Sequence, residues 1–188
     1  MPNHRAFISE LYYQSNTGIT EFIEVTLKAS EDPANYTLSF YTHTGTLYAG
    51  SNAAGQVGGL LLLSDPNISV AQNTTDPDYN VYTILANFST WRARSGEPRA
   101  VALSKNDTGE VIDAYCVGES DLLRTEGPAT NVTALRTGTA ASGVSKQWDS
   151  DRTKFTAAIT PNASNVVCFC KDTYLDTPAG PRNIADLK

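Results

Sequence analysis

The stretch Phe7–Val25, FISELYYQSNTGITEFIEV, decides the fold. Apolar and polar side chains alternate on both sides of a polar break at Gln14–Gly18. Alternation with a period of two is typical of β-strands, and a polar segment with glycine between two such runs indicates a turn. The stretch therefore predicts two neighbouring strands of one sheet.

Alternating segments continue along the chain and predict an all-β protein. The further predicted strands are Tyr36–Tyr41, Leu60–Leu63, Tyr79–Phe88, Arg99–Ser104, Glu110–Val117, Val132–Leu135, Gly143–Trp148 and Lys154–Ile159. The polar loop that ends in Gly109 separates two of these strands and is typical of a β-hairpin.

Three segments carry more particular expectations. Four consecutive leucines at Leu60–Leu63 predict a strand buried on both faces, because such a run has no polar face. Residues Asp65–Asp78 are rich in Asn, Thr, Asp and Pro and predict a long surface connection. Glu119–Arg124 is expected to form a short helical turn.

The length of 188 residues fits one domain with a terminal extension. We expect a sandwich over residues 1–165 and an extended tail over residues 166–188, because Thr177–Pro181 (TPAGP) disfavours any regular element. The tail opens with VVCFC at Val166–Cys170. It either supplies the last strand of its own sandwich or reaches a neighbouring subunit.

Charge and hydropathy exclude some partners. The net charge is −6 and the pI is near 4.8, which argues against a nucleic-acid partner held through phosphate contacts. The densest basic cluster, Arg92, Arg94 and Arg99, is expected to form a solvated rim. Membrane insertion is not expected, because the longest apolar run is four leucines and a spanning helix needs about 20 apolar residues.

Seven Asn-x-Ser/Thr sequons suggest an extracellular or particle-associated glycoprotein. The alternative is that Asn, Ser and Thr are simply common in the turns of an all-β protein. The seven acceptor positions are Asn35, Asn67, Asn73, Asn87, Asn106, Asn131 and Asn162.

Three cysteines leave the disulfide state open. Cys168 and Cys170 lie two apart, so in a strand they share one face and are too extended to bridge each other comfortably. One of them could pair with Cys116. Three free thiols are the equally ordinary alternative.

Several segments, in this order, resemble the lamin-tail-like domain of bacterial secreted and surface proteins. The matching motifs are ISELYY and EFIEV within Ile8–Val25, YTLSFY from Tyr36, SGEPRAVAL at Ser95–Leu103, GEVIDAY at Gly109–Tyr115, TEGPA at Thr125–Ala129, SKQW at Ser145–Trp148 and ITPNASN at Ile159–Asn165.

The resemblance implies an immunoglobulin-like β-sandwich that serves as a non-catalytic module. After the first strand this chain has Tyr12-Tyr13-Gln14-Ser15 where relatives often carry an acidic ligand, so no ion is expected there. Leu60–Asp78 and the tail after Asn165 have no counterpart in the family pattern. We therefore expect the particular function of this chain in those two segments.

The chain does not carry the pattern of an enzyme. Its two histidines, His4 and His43, do not suit a Ser-His-Asp arrangement, and neither lies near a paired-cysteine zinc motif. Glu10 and Glu24 lie on strands that are expected to pair and could form a glycosidase-like acid pair. The favoured interpretation is that both acids are solvent-facing and pair with a cation such as Lys28 or Arg99.

Calcium is the one metal for which the sequence gives a signal. Asp76 and Asp78, and likewise Asp149 and Asp151, place two carboxylates one residue apart in a loop. Asp in turns also commonly serves backbone hydrogen bonding, so the signal is weak. No other cofactor is expected.

These observations favour a non-enzymatic structural or adhesion protein that assembles with copies of itself or within an appendage, surface layer or virus-like particle. Apolar tail residues would add a strand to a neighbour's sheet edge. These residues are Val166, Val167, Phe169 and Leu175. The alternative is a carbohydrate- or calcium-dependent binding module that stacks ligands on Trp91, Tyr48 or Trp148.

Overall fold

The computed structural model describes residues 5–13, 20–49, 59–73, 76–85, 99–118, 120–138, 140–141, 143–149, 153–160, 174–177 and 180–183. Within these residues the chain is nearly all β, as the alternating pattern predicts. The one helical element described is a short 3-10 helix at Pro33–Asn35, which begins where the Asp32 side chain accepts a hydrogen bond from the Ala34 N–H.

The described residues contain fourteen strands. In chain order they are β1 (Ala6–Tyr12), β2 (Phe22–Lys28), β3 (Tyr36–Tyr41), β4 (Leu60–Leu62), β5 (Ser69–Gln72), β6 (Tyr79–Leu85), β7 (Arg99–Lys105), β8 (Glu110–Val117), β9 (Leu122–Leu123), β10 (Thr133–Arg136), β11 (Val144–Trp148), β12 (Lys154–Ala158), β13 (Tyr174–Thr177) and β14 (Gly180–Asn183).

Twelve of these strands form two six-stranded sheets. The first sheet has the order β12-β11-β1-β2-β6-β5, and the second has the order β4-β3-β7-β8-β10-β9. Neighbours are antiparallel except β8 and β10, which run parallel. The opening stretch forms β1 and β2, which pair from Ala6–Leu27 to Tyr12–Phe22 with one irregularity between Ile8 and Glu10.

The main hydrophobic core lies between the two sheets. Ile8 and Val25 of the first sheet and Leu38 and Leu103 of the second are among its fully buried members. The predicted β-sandwich is therefore confirmed. Its immunoglobulin-like character is a finer statement that stays a prediction.

Both outward faces of the sandwich are covered as well, which strict alternation does not predict. On the first sheet, Phe7, Tyr12 and Phe22 point away from the main core and are nevertheless buried. On the second sheet, a smaller cluster buries the outward face. Its members are Tyr41, Ala100, Ala102, Cys116, Leu122, Ala129 and Ala134.

The leucine run is a strand, but the expectation that it is buried on both faces is wrong. Leu61 packs in the main core, whereas Leu60 and Leu62 are 47% and 48% exposed. The reason is position: β4 is the edge strand of the second sheet, so its outward side chains lack the cover that central strands receive.

Two loop predictions also need correction. Residues 65–78 contain the strand β5, which pairs antiparallel with β6. The segment 119–124 contains no helical turn in its described residues. Leu122 and Leu123 instead form β9, because they pair with Ala134 and Thr133 of β10.

The tail contains a hairpin that the proline-rich sequence did not suggest. Tyr174–Thr177 and Gly180–Asn183 pair with each other, with Pro181 opposite Asp176. In a two-stranded sheet every strand is an edge, where the missing N–H of a proline is tolerated. The predicted boundary at residue 165 lies outside the described residues.

Candidate functional site

One side of the sandwich exposes apolar side chains on the edge strands of both sheets. β4 and β5 are joined by the six residues Leu63–Ile68, and this connection turns twice, because the Asp65 N–H donates to the Leu62 carbonyl and the Ile68 N–H to the Asp65 carbonyl. It is therefore too short to join opposite sides of the sandwich. Leu60 and Leu62 on β4 and Val70 on β5 are each about half exposed. We call this side the β4–β5 edge.

The backbone of β4 is paired along one side within the described part of the chain. Thr37 and Ser39 of β3 face Leu62 and Leu60 there. A groove of about 360 Å³ runs beside the strand and is lined by Leu60–Leu62 and Ser64–Pro66. A strand edge with exposed leucines beside a groove is a typical acceptor for an additional strand.

A structured turn fixes the end of this edge. The Asp65 side chain accepts hydrogen bonds from the backbone N–H and the side-chain amide of Asn67, each at 2.9 Å. The Ile68 N–H donates to the Asp65 carbonyl at 3.0 Å, and the Ile68 side chain is buried in the main core. The turn therefore gives the connection between β4 and β5 a defined structure.

The two acids considered as a catalytic pair lie directly opposite each other on β1 and β2, but the expectation that they face solvent is wrong. Glu10 and Glu24 are both 0% exposed. They lie on the covered outward face of the first sheet, because a bulge after Ile8 turns Glu10 away from the main core.

Hydroxyl groups, rather than Lys28 or Arg99, bind these carboxylates in the described contacts. Glu10 accepts hydrogen bonds from the Ser145 hydroxyl at 2.6 Å and the Thr160 hydroxyl at 2.8 Å. Glu24 accepts one from the Thr83 hydroxyl at 2.9 Å. The arrangement ties strands together and gives the acids a structural role.

The prediction that Arg92, Arg94 and Arg99 form a solvated rim is wrong for Arg99, which is the one of the three that the structure describes. Arg99 lies in β7 and is buried, whereas Arg92 and Arg94 lie outside the described residues. Burial follows from the position of β7 in the centre of the second sheet.

A fully buried arginine that the sequence did not single out lies on the outward face of the second sheet. Arg124 donates hydrogen bonds to the carbonyls of Ala129 and Leu122, each at 3.3 Å, and its guanidinium lies 5.9 Å from the centre of the Tyr41 ring. Burial lowers the pKa of Arg124. No pattern in the sequence marks Arg124 as buried, because an arginine beside TEGPA is typical of an exposed loop.

The proposed calcium ligands serve backbone turns where they are described. Asp76 accepts a hydrogen bond from the Asp78 N–H at 3.1 Å, and Asp149 accepts one from the Thr153 N–H at 2.8 Å. Asp151 lies outside the described residues. Among the residues that the structure describes, no group of three or more His, Cys, Asp or Glu side chains could hold a metal ion.

Cys116 is a free, fully buried thiol in β8. Burial raises its pKa to about 11. Cys168 and Cys170, the predicted alternatives for a disulfide with Cys116, lie outside the described residues.

The sequons differ in accessibility. Asn67 and Asn131 are exposed, and Asn35 is partly exposed. Asn106 is exposed too, but its side chain bonds the Thr37 hydroxyl and the Ala34 carbonyl. Asn73 is 2% exposed and caps the turn before Asp76, so the folded chain does not present it for glycosylation. Asn87 and Asn162 lie outside the described residues.

Of the predicted stacking residues, Trp148 is 2% exposed and stacks on Tyr115 with ring centres 4.1 Å apart. Tyr48 is partly buried against the main core, and Trp91 lies outside the described residues. Of the predicted assembly residues, Leu175 lies in β13. Val166, Val167 and Phe169 are not among the described residues.

No helix in the described part of the chain is long and apolar enough to cross a bilayer. Comparison of the chain with protein-family models, with curated proteins and with solved structures finds no match in any of the three. The resemblance to lamin-tail-like domains therefore stays a prediction from the sequence motifs.

Proposed function

We propose that this chain is a non-enzymatic assembly protein, a β-sandwich that associates with further copies of itself through the β4–β5 edge. One observation carries the proposal: Leu60 and Leu62 are half exposed on an edge strand, beside a groove that can take another strand. Burying them against a second copy would remove apolar surface from water without disturbing either core.

The donor strand in this proposal is the tail of a neighbouring copy. Val166, Val167 and Phe169 supply the apolar side chains for it, and the backbone of β4 supplies the hydrogen-bonding groups. Edge-to-edge pairing of two β4 strands is the competing geometry. Such pairing would join only the three residues of β4 from each copy.

The test is the oligomeric state by size-exclusion chromatography with light scattering. Leu60→Lys combined with Leu62→Lys should convert the assembly to monomer, because two ammonium groups cannot be buried in the edge without partners. The control is Leu123→Lys, which alters a leucine of 54% exposure on the opposite edge strand of the same sheet. Unchanged assembly in the double variant would refute the proposal.

A chain that ends at Asn165 distinguishes the two geometries. If the tail is the donor, this truncated chain is monomeric although its β4–β5 edge is intact. If the truncated chain remains assembled while the leucine double variant dissociates, the edges pair directly and the tail-donor geometry is wrong.

We also propose an extracellular or particle-associated setting for this assembly, in keeping with the resemblance to surface modules. The exposed sequons at Asn67 and Asn131 support it. The intact mass of the natural protein, before and after enzymatic deglycosylation, measures the number of glycans. An unmodified mass would remove the glycoprotein part of the proposal.

A further inference from the structure

A cleft of about 460 Å³ opens between the two sheets on the side away from the β4–β5 edge. Its walls come from β8 and β10 of the second sheet and from β11 and β12 of the first. This volume lies within the range of small-molecule sites, about 300–1,000 Å³. The cleft is therefore large enough to hold a small ligand.

The lining of the cleft is mainly apolar. The apolar residues that line it are Val111, Ile112, Ala114, Val132, Leu135 and Trp148. The stacked rings of Tyr115 and Trp148 form one rigid wall, since their planes are 25° apart and both side chains are held in the core. Such a lining favours the apolar body of a ligand.

Charges at the two ends of the cleft have opposite sign. Asp113 lies at the buried end, where its carboxylate accepts hydrogen bonds from the Ile8 N–H at 2.9 Å and the Tyr115 hydroxyl at 3.5 Å. Arg136 and Lys154 lie at the exposed end. An anion is therefore attracted to the mouth and repelled from the interior.

We propose that this cleft binds a small amphiphilic carboxylate, with its apolar body against the Tyr115–Trp148 wall and its carboxylate at the mouth. Arg136 and Lys154 pair with the carboxylate there, and Asp113 prevents the reverse orientation. Charge complementarity carries the choice of ligand, because two cations flank one apolar opening on a chain whose net charge is −6.

The probes are octanoate and 1-octanol, which share an apolar chain and differ in charge. Binding is measured by calorimetry and by the emission of Trp148 in a Trp91→Phe background, which leaves one tryptophan. We expect saturable binding of octanoate and at least a tenfold lower affinity for 1-octanol. No saturable signal with octanoate at millimolar concentration, or equal affinity for the two probes, would overturn the proposal.

Matched charge variants at one exposed position test the orientation. Leu135 is 59% exposed at the cleft, so neither Leu135→Lys nor Leu135→Glu should change the melting temperature by much. We expect the lysine variant to bind octanoate at least as tightly as the parent and the glutamate variant to bind it several-fold more weakly. Equal affinities in the two variants would contradict the proposed anion site.

Two further variants separate the cleft from general charge effects. Lys154→Gln should weaken octanoate binding several-fold, whereas Lys146→Gln removes a partly exposed lysine that does not line the cleft and should leave octanoate binding unchanged. Octanoate binding should also survive Leu60→Lys with Leu62→Lys. Failure of the assembly proposal and failure of the ligand proposal therefore give different results.

Discussion

Both sheets bury ionisable side chains in their outward faces, but the charges on the two faces are opposite. The first sheet buries the acids Glu10 and Glu24 in its outward face, and the second buries the base Arg124 in its own. The acids receive short hydrogen bonds from hydroxyl groups, the closest at 2.6 Å. Arg124 donates two longer hydrogen bonds to carbonyl oxygens, each at 3.3 Å, and its guanidinium lies near the Tyr41 ring.

The difference between Glu10 and Arg124 concerns how well the hydrogen-bonding groups of each buried side chain are satisfied. In the described part of the chain, Nη2 of Arg124 has no hydrogen-bond partner, so part of its desolvation penalty is not offset. Glu10, by contrast, joins β1 to Ser145 of β11 and to Thr160 beyond β12. We infer that the acid stabilises its face strongly and that the arginine contributes mainly by filling space.

The largest effect is expected for Glu10→Leu. This change removes the acceptor for one buried hydroxyl group, one partly buried hydroxyl group and one backbone N–H, so the free energy of unfolding should fall by about 3–5 kcal/mol. Urea denaturation measures the loss. Glu110→Leu alters an exposed glutamate at the start of β8 and should stay within about 0.5 kcal/mol of the parent.

Gly45→Ala should cause the second-largest loss of stability. Gly45 packs against Leu123 and Arg124, which lie at the outward face of the second sheet. Gly45 has φ of +83° and a Cβ there would collide with the Leu123 carbonyl oxygen. We expect a loss of about 2–4 kcal/mol. Gly109→Ala is the matched control: its φ is +68° and its Cβ would meet open space, so only about 1 kcal/mol should be lost.

The pH dependence of stability tests the same outward face of the second sheet, because the Cys116 thiol is buried there. Burial raises the pKa of Cys116 to about 11, above its ordinary value of 9.0. The folded state therefore favours the neutral thiol, and its contribution is complete below pH 9 and is lost as pH rises from 9 toward 11. At pH 10 the parent should lose about 1 kcal/mol more than Cys116→Ala, relative to pH 8. Equal pH dependence of both proteins would show that the thiol is not desolvated.

Arg124→Met should have the smallest effect. The substitution keeps much of the side-chain volume and removes a buried charge, so we expect a change within about 1 kcal/mol in either direction. A loss as large as that of Glu10→Leu would contradict the inferred difference between the two faces. Arg124→Lys would then show whether the charge or the planar guanidinium is needed.

The strands of the sandwich could be predicted because their signal is local. Alternation located β1, β2, β3, β7 and β8 to within a few residues, and the loop ending in Gly109 located their clearest hairpin. β5 and β9 were missed because each is short and depends on a partner strand that pattern reasoning does not supply.

The functional features were harder to predict because they depend on long-range placement. Glu10 faces outward only because of the bulge after Ile8, and no local pattern tells whether another segment covers that outward face. Leu60 and Leu62 are exposed because β4 is the edge strand of its sheet, and no local sequence pattern predicts which strand lies at the edge. The Asp65–Asn67 turn could be expected from its residue types, although its role at the β4–β5 edge could not.

The place of β1 in the first sheet has a consequence for how the chain folds. β1 lies between β2, which follows it closely, and β11, where Glu10 faces Gln147. During synthesis one edge of β1 therefore stays open until β11 has been made. Pairings of such large sequence separation slow folding and prolong the exposure of aggregation-prone edges. Conditions that delay completion of the chain should thus reduce the yield of native protein more than they reduce its final stability.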